Sequence, residues 1–242
     1  YALPLLTRED GQSLGSCAAG GNDEHFRVMA HNIVENGFGS AVVRPGWEGS
    51  ADWYAWGVTN PRNGDTQQAQ RAYRECFRRL AGIFREVAPD VIIELDYGTA
   101  GGLTNIADVY PGDDFVDVIG NDVYLPSTIR DAQDWNRFCR SGTARRPVGL
   151  CRYAEFAREH HKLFAVAEWG LDTTNAPDAD AVAYVEGMAR LFRDQRDILA
   201  YEAYYNRTDD PSSPCEFRLD GGCNPEAAAT YLRLFGAAGS TG

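Results

Sequence analysis

The chain has 242 residues, enough for one α/β domain of the largest common size, and 44% of them are hydrophobic, too many for a disordered polymer. Its formal net charge of −12 argues against nucleic acid or an anionic membrane as the partner and suits a neutral or cationic ligand. No apolar run approaches the roughly 18 residues of a membrane span and no signal peptide is visible; the first residue is Tyr1 rather than Met, so processing or preceding residues are expected.

Strand-like and helix-like segments then alternate without a Ser/Pro linker, which predicts a single α/β domain over residues 1–242. Ala2 to Leu6 reads as a strand, and Asn22 as the cap of a helix with Phe26, Met29, Ala30 and Ile33 on one stripe, closed by Gly37. Ala41 to Arg44 is the next strand. A long helix from about Thr66 places Tyr73, Phe77, Leu80, Phe84 and Val87 inward and stops before Pro89. Val91 to Leu95 reads as a continuous apolar strand of the parallel-sheet type. Val116 to Val123 follows a glycine-rich loop, and a helix is predicted around Arg152 to His161. Phe164 to Ala167 is the strand that delivers Glu168. A helix of about 17 residues with Val185, Met188 and Phe192 inward comes next, then a strand from Leu199 to Tyr205. Asn224-Pro225-Glu226 opens the last helix with a cap and a proline at its first position.

This count gives six strand-helix units. A closed (β/α)8 barrel needs two more, about 60 residues at about 30 per unit, which would precede Tyr1. The rival is a complete six-stranded open sheet of the doubly wound type. The barrel is favoured because two glutamates, Glu48 and Glu168, fall at strand ends that face one mouth.

Six cysteines form an even set without metal-ligand spacing. Local closure pairs Cys215 with Cys223 and Cys139 with Cys151, which leaves Cys17 with Cys76; most lie in loops, which favours disulfides over reduced cytosolic thiols and predicts a secreted or extracellular protein. Asp113 and Asp114 read as turn residues rather than metal ligands, and no cofactor is called for.

The chemistry concentrates in two runs, Arg44-Pro45-Gly46-Trp47-Glu48 and Ala165-Val166-Ala167-Glu168-Trp169-Gly170. Two carboxylates at equivalent places in a repeated strand-helix pattern are what glycosidic cleavage needs: one protonates the leaving oxygen, the other attacks the sugar or activates water. A general acid must hold its proton near neutral pH, and apolar surroundings from Trp47 and its aromatic loop, or the charge of Glu168, supply that. Four of the five tryptophans (Trp47, Trp53, Trp56 and Trp169) flank the glutamates, and Trp53 and Trp169 are expected to stack on sugar rings.

With Asp52-Trp53-Tyr54-Ala55-Trp56-Gly57 added, the first run resembles the fourth-strand motif of glycoside hydrolase family 26. The stretch Tyr110 to Tyr124, ending Gly120-Asn121-Asp122-Val123-Tyr124, resembles the sixth strand of that family and the loop before it. Ala167-Glu168-Trp169-Gly170 resembles its seventh-strand end. The family is built on (β/α)8 barrels and comprises retaining endo-glycosidases, chiefly β-mannanases with some xylanases and β-glucanases. The resemblance implies Glu48 as acid/base, Glu168 as nucleophile, Tyr124 as a hydrogen-bond donor to the nucleophile and Arg44 as an electrostatic anchor beneath the site. Trp47, Trp53, Trp56, Asp122, Trp169 and Tyr204 complete the expected sugar-binding set. Two positions depart from the pattern. Trp47 stands where mannanases of the family usually carry His, and Leu95-Asp96-Tyr97-Gly98 replaces a tryptophan-containing turn, which leaves the sugar open among mannan, xylan and β-glucan. The expected partner is a polysaccharide or oligosaccharide, with no nucleic acid and no membrane span; the oligomeric state is not legible. The alternative is a non-catalytic carbohydrate-binding or structural surface protein on the same barrel.

Overall fold

The computed structural model describes residues 1–7, 11–98, 104–126, 129–172, 181–209, 211–212 and 215–236. In chain order the elements are β1 (Ala2–Leu3), α1 (Leu14–Ala18), α2 (Asp23–Glu35), β2 (Val42–Pro45), α3 (Thr66–Val87), β3 (Ile92–Asp96), α4 (Ile106–Val109), β4 (Val118–Pro126) and α5 (Ala132–Cys139). A short hairpin of β5 (Gly142–Thr143) and β6 (Arg146–Pro147) follows, then α6 (Leu150–Glu159), β7 (Leu163–Asp172), α7 (Val182–Asp194), β8 (Leu199–Tyr204) and α8 (Pro225–Phe235).

Among the described residues, the main sheet has six strands, all parallel, in the order β1-β2-β3-β4-β7-β8. Apart from the inserted hairpin this is chain order. A doubly wound sheet reverses its order at a switch point, so that rival reading is excluded and single winding of the barrel kind remains. The sheet is also strongly curved. Arg44 on β2 bonds Glu168 on β7 at 2.6 Å, and Tyr201 on β8 donates to Glu94 on β3. Each pair is three strands apart, about 14 Å in a flat sheet with strands about 4.8 Å apart. Side chains meet across that span only if the sheet bends around them.

The helices form because their apolar residues repeat at helical spacing. In α3, capped by Asp65 accepting from the Gln68 amide, Tyr73, Phe77, Leu80 and Phe84 are fully buried. They pack on the outer face of the sheet with Val43, Ile93 and Leu95. β3 is therefore not the uniformly apolar strand expected: Ile93 and Leu95 face the helices while Glu94 and Asp96 occupy the inner face. Gly120 on β4 stands beside them because a Cβ there would meet Glu94 Oε1 at 2.0 Å.

Other expectations shift in detail. β1 is shorter than expected, α7 runs 13 residues, and Asn22 caps no helix with its side chain, which donates to the Leu5 carbonyl instead. Asn224 adopts a left-handed conformation and directs its amide to the Cys215 and Arg218 carbonyls. All three disulfides pair as expected: Cys17–Cys76, Cys139–Cys151 and Cys215–Cys223. Among the described residues no helix is long and apolar enough to cross a membrane.

Candidate active site

β2 ends at Pro45, and the chain turns through Gly46 (φ 62°) and Trp47 to Glu48, itself at φ 48°. A left-handed glutamate is uncommon and costs conformational energy, a feature that collects at functional sites. The turn is held from outside by Tyr73, whose hydroxyl donates to the Gly46 carbonyl at 2.8 Å. Glu48 therefore lies three residues beyond its strand. Glu168, expected just past its own strand, lies within β7, which continues to Asp172. The β7–β8 pairing shifts register between Val166 and Trp169 and the β4–β7 pairing between Gly120 and Asp122, so Asp122 stands beside Glu168.

A cavity of about 540 Å³ opens over this end of the sheet, lined by Glu48, Trp53, Tyr54, Gly98, Asp122, Val123, Tyr124, Glu168, Asp172, Tyr205, Asp209 and Phe217. Its lining contains five carboxyls and, among the described residues, no Lys, Arg or His. Arg44 lies just beneath: Nη1 donates to Asp96 at 2.6 Å and to Asp122 at 3.0 Å, and Nη2 to Glu168 Oε1 at 2.6 Å. The other oxygen of Glu168 accepts from the Tyr124 hydroxyl at 2.6 Å. Both oxygens are thus fixed from opposite sides, which sets the plane of the carboxylate.

Glu48 has a different environment. Its Oε2 accepts from the Tyr54 hydroxyl at 3.0 Å, and the Trp47 indole in turn donates to that hydroxyl at 3.1 Å. Burial is the main reason its carboxyl titrates at about 7 instead of 4.5; the charges of Asp96 and Glu168 add to the rise, while the Tyr54 bond and Arg44 oppose it. Asp96 and Asp122 are also raised, first by burial, with one guanidinium between them as partner.

Of the expected residues, Glu48, Trp53, Asp122, Tyr124 and Glu168 meet in the cavity with Arg44 under it. Trp53 is 64% exposed at the rim. Trp169 does not reach the cavity. It is fully buried on the opposite face among Tyr184, Phe192, Tyr204 and Tyr231, its indole donating to Glu202 at 2.6 Å. The reason is strand alternation: with Glu168 facing inward, its neighbour must face the helices. Tyr204 belongs to the same outer cluster, and Tyr205 lines the cavity instead. Trp47 and Trp56 form the wall behind: Trp56 is buried, donates to the Trp47 carbonyl at 2.8 Å and stacks on Tyr54. Sequence reasoning missed Tyr54, Asp96, Tyr205, Asp209 and Phe217. For Asp96 the signal was present, as acidic residues alternate with apolar ones in Ile93-Glu94-Leu95-Asp96.

The sequence model described as "Glycosyl hydrolase family 26" matches residues 28–161, more than half of the chain. Solved structures agree with the fold. The catalytic domain of a Bacillus endo-β-1,4-mannanase superposes with a TM-score of 0.62 at 18% identity, over 95% of this chain and 64% of that one. A β-mannanase from Bacteroides ovatus gives 0.59 at 17%, over 95% and 63%. A modular endo-β-1,4-mannanase from Cellulomonas fimi gives 0.59 at 20%, over 96% and 50%. The chain thus spans between half and about two thirds of the length of these structures.

Proposed function

Because the chain belongs to glycosyl hydrolase family 26, we propose that it hydrolyses a neutral β-linked polysaccharide (β-mannan, xylan or β-glucan) with retention of anomeric configuration. The single observation that carries this reading is the contrast between two glutamates at one cavity. Glu48 is half-buried and titrates at about 7, while Glu168 is gripped on both oxygens by Arg44 and Tyr124. Glu48 as the acid gives its proton to the glycosidic oxygen as Glu168 attacks the anomeric carbon. The carbon–oxygen bond breaks, the shortened chain leaves as an alcohol, and the sugar remains as an ester of Glu168. Esterification removes the charge of Glu168, one of the groups holding the proton on Glu48, so Glu48 then acts as base. It takes a proton from water, the oxygen attacks the same carbon, and the ester bond to Glu168 breaks.

Trp53 at the rim and Phe217 and Tyr205 beside Tyr124 supply the apolar faces for sugar rings. The six strands are read as the third to eighth of a barrel, since Glu48 follows β2, Asp122 and Tyr124 lie on β4 and Glu168 on β7, in the order of the family motifs. Residues 1–242 are read as one catalytic domain, the two closing units lying outside them. Three disulfides support an extracellular setting.

Proton NMR of early products from mannan, xylan and mixed-linkage glucan tests the mechanism: retention is expected, and an inverted first product refutes it. Glu168→Ala should abolish turnover. Glu48→Ala should keep activity only on aryl glycosides that leave without protonation, with azide restoring the second step. A wild-type chain that binds oligosaccharide yet hydrolyses none of these substrates would favour the non-catalytic alternative.

A further inference from the structure

The layer under the cavity contains a carboxyl that the chemistry above does not use. Asp96 is fully buried on β3, and its Oδ2 receives Arg44 Nη1 at 2.6 Å, closer than Arg44 comes to Asp122. Its Oδ1 has no donor when Asp122 is ionised. A proton held on Asp122 supplies one, since the two carboxyls lie within hydrogen-bonding reach, and the shorter Arg44 contact places the remaining charge on Asp96. One guanidinium cannot neutralise two adjacent buried carboxylates, and such a pair retains one proton between them.

Taking the proposed glycosidase reading as its premise, we propose that Asp96 is the positioning residue of this site: it clamps Arg44 from below, so that the second guanidinium nitrogen aligns Glu168, and its buried charge adds to the burial that keeps Glu48 as the acid. The groups facing it bear this out. Arg44 comes from β2, Glu48 from the turn after it, Asp122 from β4 and Glu168 from β7, with Glu94 two residues before it on β3. Tyr201 from β8, Tyr73 from α3 and Tyr153 from α6 surround the column and also feel its charge. Among the charges acting on Glu48, that of Asp96 raises its titration more than that of Glu168 does. The difference has a mechanistic consequence. The Glu168 contribution vanishes when the sugar ester forms, whereas the Asp96 contribution persists through both steps and favours retention of the proton that Glu48 takes from the attacking water.

The test is Asp96→Asn, which keeps shape and removes charge, assayed in the full chain on polysaccharide across pH. A folded variant, checked by circular dichroism, should show KM within about twofold of wild type. kcat should fall on the order of 100-fold, the scale of a misplaced reacting group. The alkaline limb of the kcat profile should move to lower pH by about one unit, as for loss of a neighbouring like charge. Glu94→Gln replaces a buried carboxyl that does not touch Arg44 and that burial pushes up to about 8, so it should leave that limb nearer its wild-type position. An unmoved limb in folded Asp96→Asn, or an equal shift in Glu94→Gln, overturns the proposal. Neutron diffraction of the wild-type protein near pH 6 is independent of how the variants fold. Protons on Asp122 and Glu48 with none on Asp96 support the assignment, and a proton on Asp96 refutes it. Absence of hydrolysis by the wild type would instead strike at the glycosidase reading itself.

Discussion

Glu48→Gln should make this protein more stable, by an amount that grows as pH rises above about 4.5 and is complete above about 7. The carboxyl titrates at about 7 in the folded chain against 4.5 as the ordinary value, chiefly through burial. Because the folded value is the higher one, the contribution of the protonated side chain is complete below pH 4.5 and is lost as pH rises through about 7. A rise of that size, at about 1.4 kcal/mol per pH unit, corresponds to about 3 kcal/mol, an upper figure for a side chain that retains some contact with solvent. Glutamine never ionises, keeps an oxygen for the Tyr54 hydroxyl and leaves the backbone at φ 48° unchanged. The other buried carboxyls, Glu94, Asp96 and Asp122, are common to both proteins and to first order cancel in the difference. Urea denaturation of wild type and variant should therefore coincide at pH 4 and diverge by up to about 3 kcal/mol at pH 8. In thermal melts that is a shift of about 6–12 °C at this chain length. Equal stabilities at pH 8 would show that Glu48 is already ionised at no cost, and the acid assignment would lose its physical basis.

Trp53→Ala should raise KM on polysaccharide about fivefold to tenfold with stability changed by less than about 0.5 kcal/mol, because the ring is 64% exposed. Trp169→Ala should instead cost about 3–5 kcal/mol in denaturant titrations, because the ring is fully buried in the outer core. Tyr124→Phe deletes the donor to Glu168 Oε2, and kcat should fall about 10- to 100-fold at nearly constant KM, the value of a hydrogen bond to a charged group. Replacing Cys17 and Cys76 by alanine opens a link across 59 residues and should cost about 4 kcal/mol, whereas opening Cys215–Cys223, across 8, should cost about 2–3; equal losses in urea titrations would rule out chain entropy as the cause.

The elements that could be read from the sequence are those whose pattern is local. α3 shows its buried stripe at helical spacing, and each of the six main strands is announced by a short apolar or β-branched run. The two glutamates were legible because each sits beside a tryptophan next to such a run. Trp169 was misassigned although alternation was available to correct it: adjacent residues of a strand cannot both face the cavity. The same rule makes no demand on Trp53, which lies in a loop. Asn22 and Asn224 fit the cap pattern, but their amides are drawn to carbonyls of neighbouring loops, a demand that exists only once those loops are packed.

In the cluster beneath the cavity, Arg44 and Asp122 were expected only through the family resemblance and Asp96 was missed, for a deeper reason. Arg44 is separated from Asp96 by 52 residues, from Asp122 by 78 and from Glu168 by 124, and the four meet only because the sheet curves. A local window sees Arg44 as an ordinary strand-end arginine, and Asp96 as a flaw in an apolar strand. Such a flaw is itself informative. Burying Asp96 and Asp122 around a single guanidinium is costly, and packing alone gives no reason to retain it when apolar residues of similar volume often serve as well or better. What the arrangement supplies is electrostatic: a charge under Glu48 that solvent cannot screen and a guanidinium that cannot swing away from Glu168. On this view the alternation of Glu94 and Asp96 with Ile93 and Leu95 marks the face of β3 that serves chemistry, and the apolar residues mark the face that holds the fold together.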